Sequence, residues 1–306
     1  MGKAVSCINL LDEYHKYSAL KNTQKILFEG VEGYDVYNIT APFECKGKEY
    51  IAGRVELREN EISHVRIFER ISDDRYRAVM PDVVFEKFQD PCVSKIAGNI
   101  VLGGVQIETD PLHPKKIISW KMIFYKGEDL EHLELLTVGP NYMKDIRLIE
   151  LRDGRIGIFT RPQGKIGGLG KIGFIAVDSL ADVTAENMMK AAVFHSHFVE
   201  GEWGGVNEVH VLDDGRLGVL GHISYKNGER HYHPMAFIFD PETMEHSPIR
   251  IIAQRKDVSD GPAKRPDLQD VLFTGGLKRN PGAVCRLYMG VSDCEAYYTE
   301  IDDPFQ

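Results

Sequence analysis

Apolar residues in this chain come in short runs broken by turn glycines, and the runs recur. RLIELRDGRIGIF (147–159) is echoed by EVHVLDDGRLGVL (208–220). In each, stretches rich in Val, Ile and Leu flank a D-G pair, which suits a tight hairpin because glycine tolerates positive φ. KGKEYIAGRVELR (46–58), AGNIVLGGVQIE (97–108) and PGAVCRLYMGVSD (281–293) repeat the theme, so the turn glycines are Gly47, Gly98, Gly154, Gly215 and Gly282. An apolar segment precedes each turn (YDVYNITAPF, DPCVSKI, KDIRLIEL, NEVHVL, DVLFTGGL), and further strands such as HVRIFERI, WKMIFYKG, GKIGFIAV and MAFIFDP follow. Four short strands per repeat, five times over, predict an all-β, five-bladed β-propeller. Its blades should be apolar on both faces, because each packs between two others, and the runs are continuous rather than alternating. Helix is expected in VSCINLLDEYHKYSAL near the start, and a second helical signal lies in SLADVTAENMMKAAV. No Pro/Gly/Ser linker or low-complexity tract divides residues 1–306, so a single domain is expected.

Composition narrows the chemistry. At 43% hydrophobic and 27% charged residues the chain reads as an ordinary globular protein, and its net charge of -9 argues against a nucleic-acid surface, which needs clustered Lys and Arg. Any cationic site must be local. Cys7, Cys45, Cys92, Cys285 and Cys294 form no C-x-x-C pair and are odd in number, so neither a disulfide framework nor a structural zinc site is expected. No segment is apolar for the length of a membrane span, and MGKAVSCINLLDEYHK lacks the core of a signal peptide. A cytoplasmic protein without membrane partners is expected. MGKAVS matches the formal N-myristoylation pattern, a six-residue match that arises easily by chance.

In a propeller the inner strands converge on a central funnel, so polar residues within otherwise apolar inner-strand segments are candidates for a ligand site. They are Asn38, Arg54 and Glu56 in the first repeat, Asp90 in the second, and Lys144, Asp145 and Arg161 in the third. Glu208 and His222 follow in the fourth, and Asp270 and Asp293 in the fifth.

These residues carry a resemblance. GKEYIAGRVE is similar to the G-K-x-Y-L-x-Y-R-A-E signature of glycoside hydrolase family 130, the mannoside phosphorylases and mannosidases, and VYNITAP resembles its V-x-N-P-A-A. FQDPC resembles its E-D-P-R, and MKDIRLIELRDGRIGIFTRP follows its K-D/N-A-x-L-F-P…G-K-Y-x-x-x-H-R-P. GVLGHIS resembles the Y-H-G segment, and DVLFTGGLKRNPGAVCRLYMGVSDCEAYYTEID the family's N-V-V-F-P-x-G…Y-Y-G-A-A-D region. The closer likeness, including IFTRPQG followed by GGLGKIGF, is to domain of unknown function family 1861 in the same five-bladed clan.

The resemblance implies an inverting glycosidase or glycoside phosphorylase acting on a small β-linked, mannose-containing saccharide. Inversion needs a carboxylic acid to protonate the leaving oxygen and a nucleophile on the opposite face, phosphate or an activated water. By the likeness Asp90 is the general acid, Arg54 and Glu56 bind the sugar or orient the acid, Asp293 accepts from a sugar hydroxyl, and Lys144, Arg161 and His222 serve phosphate or sugar hydroxyls; Asp145 and Glu208 are further substrate-binding candidates. Trp120, Trp203 and Tyr288 are available to cover apolar sugar faces. Where the family has Glu and Arg around Asp-Pro, this chain has Gln89 and Cys92, and a neutral thiol offers phosphate no bidentate pair. Hydrolysis with Asp145, Glu208 or Asp293 as base therefore stands beside phosphorolysis. The alternative of another class is a non-catalytic carbohydrate-binding or scaffolding propeller.

Two other signals are set aside. GKIGGLGKIG has the glycines of a phosphate cradle, but GKIGFIAVD continues as strand where a dinucleotide site needs a helix, so it is read as a loop at the funnel. HSH (195–197) and HYH (231–233) would each put two imidazoles on one face of an extended segment, a zinc-capable spacing, but neither motif itself contains an Asp, Glu or Cys partner. No metal and no cofactor are assigned; the expected partners are a small saccharide and inorganic phosphate.

Overall fold

The computed structural model describes residues 3–17, 21–280, 282 and 284–306. Met1 and Gly2 of the myristoylation pattern lie outside the described residues.

Five sheets are arranged as five blades. The second blade runs from the funnel outward as Phe88–Ile96, Asn99–Asp110, His113–Gly127 and Glu134–Val138. The third is Arg147–Glu150, Ile156–Thr160, Gly173–Val177 and Ala192–Val193; the fourth is Trp203–Val211, Leu217–Lys226, Arg230–Phe239 and Arg250–Ile251. In the fifth, Leu272–Lys278, Cys285–Val291 and Glu295–Ile301 are completed by Lys21–Lys25, which pairs antiparallel with the last of them and so ties the start of the chain to its end. The first blade is the largest, a seven-stranded sheet whose main path runs from Asp35–Tyr37 through Lys48–Glu56, Ser63–Ser72 and Arg75–Val79 to Leu27–Glu29.

The hairpin reading holds at each of the five turns. Gly47, Gly98, Gly154, Gly215 and Gly282 all have φ between 75° and 89°. Space around a Cβ there is open or nearly so, and glycine is required by the backbone conformation rather than by packing.

Burial follows the sandwiching of the blades. Tyr50–Glu56 are buried seven in a row and Leu217–Ser224 eight in a row. The core is divided into five clusters, one for each blade–blade interface. Tyr50, Val65, Phe88 and Leu102 lie between blades one and two, and Val101, Met122, Ile146 and Ile158 between two and three. Phe159, Phe174, Val219 and Phe237 follow between three and four, and Leu220, Leu272 and Leu287 between four and five. Ile51, Phe68, Tyr288 and Tyr298 join five back to one. A cluster at every interface closes the ring without an exposed sheet face or a central apolar core, which leaves the axis free for polar groups.

The helix Cys7–Tyr17 turns Cys7, Leu10 and Tyr14, spaced for one helical face, onto the third-to-fourth cluster. The second helical signal gives less than a helix. Residues 179–193 hold a 3-10 turn at Leu180–Asp182, one α-turn at Ala185–Met188 capped by Thr184, and a strand at Ala192–Val193. All five cysteines are buried. Among the described residues no helix is long and apolar enough to cross a membrane.

Candidate functional site

The same backbone irregularity recurs around the funnel. In blade two the pairing register breaks opposite Asp90 and Pro91, in blade four at Asn207, and in blade five at Gly275. Asn38 ends the inner strand of blade one, and Asp145 precedes that of blade three. Asn38, Asp90 and Asp145 take φ of 44°, 49° and 57°, a left-handed conformation that Asn and Asp adopt more readily than other residues with a Cβ. An interrupted strand thus supplies a short amide or carboxylate at the axis in four blades, and glycine in the fifth.

At this end lies a cavity of about 380 Å³, within the size range of small-molecule sites, walled by Asn38, Arg54, Gln89, Asp90, Lys144 and Asp293 among others. Asp90 is buried; its Oδ1 accepts a hydrogen bond from Asn38 Nδ2 at 2.8 Å and faces Arg54 Nη1 at 3.5 Å. The Arg54 guanidinium lies over the Tyr37 ring and donates from Nε and Nη2 to Glu56 Oε2 at 2.8 and 2.5 Å. Glu56 is also paired with Lys264. Asp293 comes from the hairpin turn beyond Val291 rather than from an inner strand. Burial pushes its carboxyl above the usual range, and Asp90 and Glu56 add to this against the opposing pull of Arg54 and Lys264.

A second, buried cluster lies behind the lining residues Tyr232 and Phe273. Asp145 Oδ2 accepts from Arg161 Nη1 at 3.0 Å and lies 3.8 Å from His222 Nε2. Burial would raise the Asp145 carboxyl, but Arg161, Lys144 and their neighbours outweigh it and hold it at about 2. His222 goes the other way: burial first, with Arg161 and Lys144, depresses the imidazole to about 3 although Asp145 opposes this. His222 is therefore neutral, and with Nδ1 2.8 Å from Asn207 Oδ1 its proton sits on that nitrogen. Arg161 also donates to Gly204 O at 3.0 Å and Leu169 O at 3.4 Å, and Gly170 lies against its guanidinium. The glycine-rich stretch at 164–170 is thus a loop that clamps Arg161, with only a four-residue helix, Gly164–Gly167.

Lys144 differs from the other cations. It lines the cavity and takes part in no ion pair among the described residues. Among the buried side-chain atoms without hydrogen-bond partners is Gln89 Nε2, from a residue that lines the same cavity. Buried polar atoms are nearly always paired, so an orphan amide on a cavity-lining residue marks a place where a ligand group would complete it.

The sequence expectations divide accordingly. Arg54, Asp90, Lys144 and Asp293 line the cavity and Glu56 stands directly behind Arg54, whereas Asp145, Arg161 and His222 form a buried network that does not line it, with His222 packed behind Tyr232 and Phe273. Glu208 is not brought there: five residues along the strand from Trp203, its carboxylate is taken by the Leu277 amide at 2.6 Å and by His210 at 2.9 Å. Asp270 pairs with His231 at 2.6 Å away from the cavity. The aromatics also differ. Tyr288 is buried in the fifth-to-first core and Trp120 packs on Tyr142, whereas Tyr232 and Phe273 line the cavity. Tyr232 stacks on His222 at 5.5 Å and accepts from Trp203 Nε1 at 3.2 Å. Residues 195–197 bend instead of extending, leaving His195 exposed and His197 buried. Among the described residues no group of three His, Cys, Asp or Glu could hold a metal.

The fold and funnel define a class, the five-bladed propellers with the architecture of mannoside-acting enzymes. A β-1,2-mannobiose phosphorylase from Listeria innocua, solved with β-1,2-mannobiose, superposes with a TM-score of 0.64 over 89% of this chain and 91% of its own at 15% identity, a likeness of fold. More particularly, the chain belongs to the family described as Protein of unknown function (DUF1861), whose model matches residues 12–306. It is 34% identical to a mannose phosphorylase from Leishmania mexicana solved in complex with a phosphate ion, with a TM-score of 0.90 over 97% of this chain and 93% of that one. It is 31% identical to a GDP-Man-dependent mannosyltransferase from the same organism, with a TM-score of 0.89 over 99% and 96%. No curated protein matches the chain.

Proposed function

We propose that this chain is an inverting glycoside phosphorylase that cleaves a small β-linked mannoside. Asp90 is the general acid and Lys144 the cation that receives phosphate. Asp90 gives its proton to the glycosidic oxygen as that bond breaks; a phosphate oxygen bonds to the anomeric carbon from the opposite face, yielding α-mannose 1-phosphate and the freed sugar. Arg54 and Asn38 fix the acid.

The observation that carries the reading is the pairing state of the charged groups. Hydrolysis needs a free carboxylate to activate water across the sugar from Asp90. Asp145 is locked to Arg161, Glu208 lies elsewhere, Glu61 is bound by Lys264 and Arg265, and Asp293 shares the electrostatic environment of Asp90 and Arg54. Lys144 remains unpaired, which suits a nucleophile that brings its own negative charge. The 34% identity to a phosphate-bound mannose phosphorylase supports this chemistry. The likeness to a GDP-Man-dependent transferase favours one variant, in which a nucleotide-activated mannose puts its diphosphate on the same lysine.

The test is a screen of manno-oligosaccharides and aryl β-mannosides with and without phosphate, plus GDP-mannose with saccharide acceptors, following mannose 1-phosphate and free GDP. Phosphate-dependent release of mannose 1-phosphate is expected. Cleavage indifferent to phosphate would establish hydrolysis, and binding without turnover would leave a sugar-binding propeller.

A further inference from the structure

The segment joining blades four and five, residues 252–271, does not take the short way round. It carries two 3-10 turns, Arg255–Asp257 and Pro266–Leu268, and reaches the cavity wall. It is anchored to the hairpin that bears Asp293. Arg255 Nε donates to Ser292 Oγ at 2.9 Å, and the Lys264 amide donates to Ser292 O at 2.9 Å. From this strap the Lys264 side chain, only 3% exposed, reaches across to blade one and pairs with Glu56 Oε1 and, at 3.1 Å, with Glu61 Oε2.

Those carboxylates are the ones that compete for Arg54. Glu56 takes two of its donors, Glu61 stands at 3.5 Å from Nη2, and Asp90 holds only Nη1, also at 3.5 Å. Arg265 takes Glu61 Oε1 at 2.7 Å, but Glu56 and Asp90 still share one guanidinium, which is undersupplied with positive charge. A buried ammonium is tolerated only where it is paired, and this one is spent on Glu56 and Glu61. We infer that Lys264 is a positioning residue for the acid: by neutralising Glu56 from the strap, and sharing Glu61 with Arg265, it leaves Arg54 free to hold Asp90. The inference rests on the phosphorylase reading for its kinetic consequence, but not for its electrostatic one.

Lys264→Met, Lys264→Arg and the double variant Glu56→Gln/Lys264→Met test it. Lys264→Met should lower kcat about 100-fold, the cost of a small misplacement of a reacting group, with KM for phosphate unchanged because Lys144 is untouched. Lys264→Arg should recover most of the loss, and the double variant part of it, since it removes the excess negative charge together with the lysine. Unchanged kcat, or kcat and phosphate KM deteriorating together, overturns the inference. Carboxyl-carbon NMR of Asp293, which faces Arg54, Asp90, Lys264 and Glu56, needs no turnover. Its titration should move to higher pH in Lys264→Met, and an unmoved titration overturns the inference even in a protein that cleaves nothing. Absence of phosphate-dependent turnover in the unaltered protein, with that titration moved, rejects the phosphorylase reading alone.

Discussion

Replacing Lys144 by methionine isolates the anion-binding step. Lys144 makes no ion pair among the described residues, and Asp145, which its charge helps to hold ionised, keeps Arg161 as its direct partner, so the loss of stability should be about 1 kcal/mol, well below that of breaking the pair itself. What is lost is a charge-assisted hydrogen bond to bound phosphate, about 1.5–3 kcal/mol, which is roughly 10- to 150-fold in affinity. Arg161→Ala is a poorer probe. It leaves Asp145, 1% exposed, without its partner, and breaking a buried pair costs about 3–5 kcal/mol of stability, so weakened binding could not be separated from a loosened fold. Calorimetric titration with inorganic phosphate, repeated with sulfate as competitor, measures the effect directly. KM for phosphate should rise by the same factor while binding of the saccharide alone is unchanged. Equal phosphate affinity in the two proteins, within about twofold and with both folded, would refute the assignment of Lys144, since the arithmetic allows no contact of that kind to be so small.

Asp90→Asn keeps the Asn38 contact in shape but removes the proton, so turnover should fall about 10²- to 10⁴-fold with saccharide binding retained. A dinitrophenyl β-mannoside, whose leaving group needs no acid, should largely escape the loss; equal impairment of both substrates would argue against an acid role. Gly205→Ala would put a Cβ 2.8 Å from Asp145 Oδ2 and 3.0 Å from Arg161 Cδ, and should cost about 1–3 kcal/mol in urea unfolding. His222 and His233 are depressed by burial to about 3 and about 4, and His197 well below the ordinary value. Because the unfolded chain protonates these side chains near pH 6.5 while the native state keeps them neutral, the stability they leave intact above that pH is lost as pH falls toward the folded values. Between pH 7 and 5.5 the loss should be about 1 kcal/mol per histidine. Urea midpoints at the two pH values measure it, and His197→Phe should flatten the slope; an unaltered slope would mean that His197 takes up its proton in the native state as readily as in the unfolded chain.

The repeat was legible because a propeller writes its architecture locally. A hairpin glycine and a doubly buried strand are each encoded within about ten residues, and both recur five times. The polar positions of the inner strands were legible for the same reason. What escaped was whatever depends on chain segments meeting across the ring. Lys264 sits in AQRKDVSDGPAKRPDLQD, which has no strand period, and nothing local says that its ammonium meets Glu56. Tyr232 was passed over as the middle of HYH, where the flanking histidines drew attention, yet alternation along Arg230–Phe239 turns it to the funnel. Glu208 misled by its position. The break in pairing between Val206 and Glu208 makes Asn207 the funnel residue of blade four and shifts its neighbour off the site.

That break also explains why four different blades can serve one ligand. A regular strand sends alternate side chains into its two blade interfaces, where only apolar groups are tolerated, and none along the axis. A left-handed residue or a bulge rotates one side chain out of the alternation, and Asn or Asp fills the position at least conformational cost while carrying a polar group. Blade five departs from the pattern for a steric reason. A Cβ on Gly275 would stand 2.2 Å from Ile39 O, and one on Gly290 would stand 2.1 Å from Asn38 Oδ1, so the glycines let blade one close against blade five. The axial group missing from that blade is supplied by Asp293, from the turn between its second and third strands, at φ 53°. Closure of the ring and assembly of the acid side of the cavity thus depend on the same contact, the one that seats Asn38 between Asp90 and Gly290. A side chain at position 290 would displace the hydrogen-bond donor of Asp90 by the same movement that opened the ring.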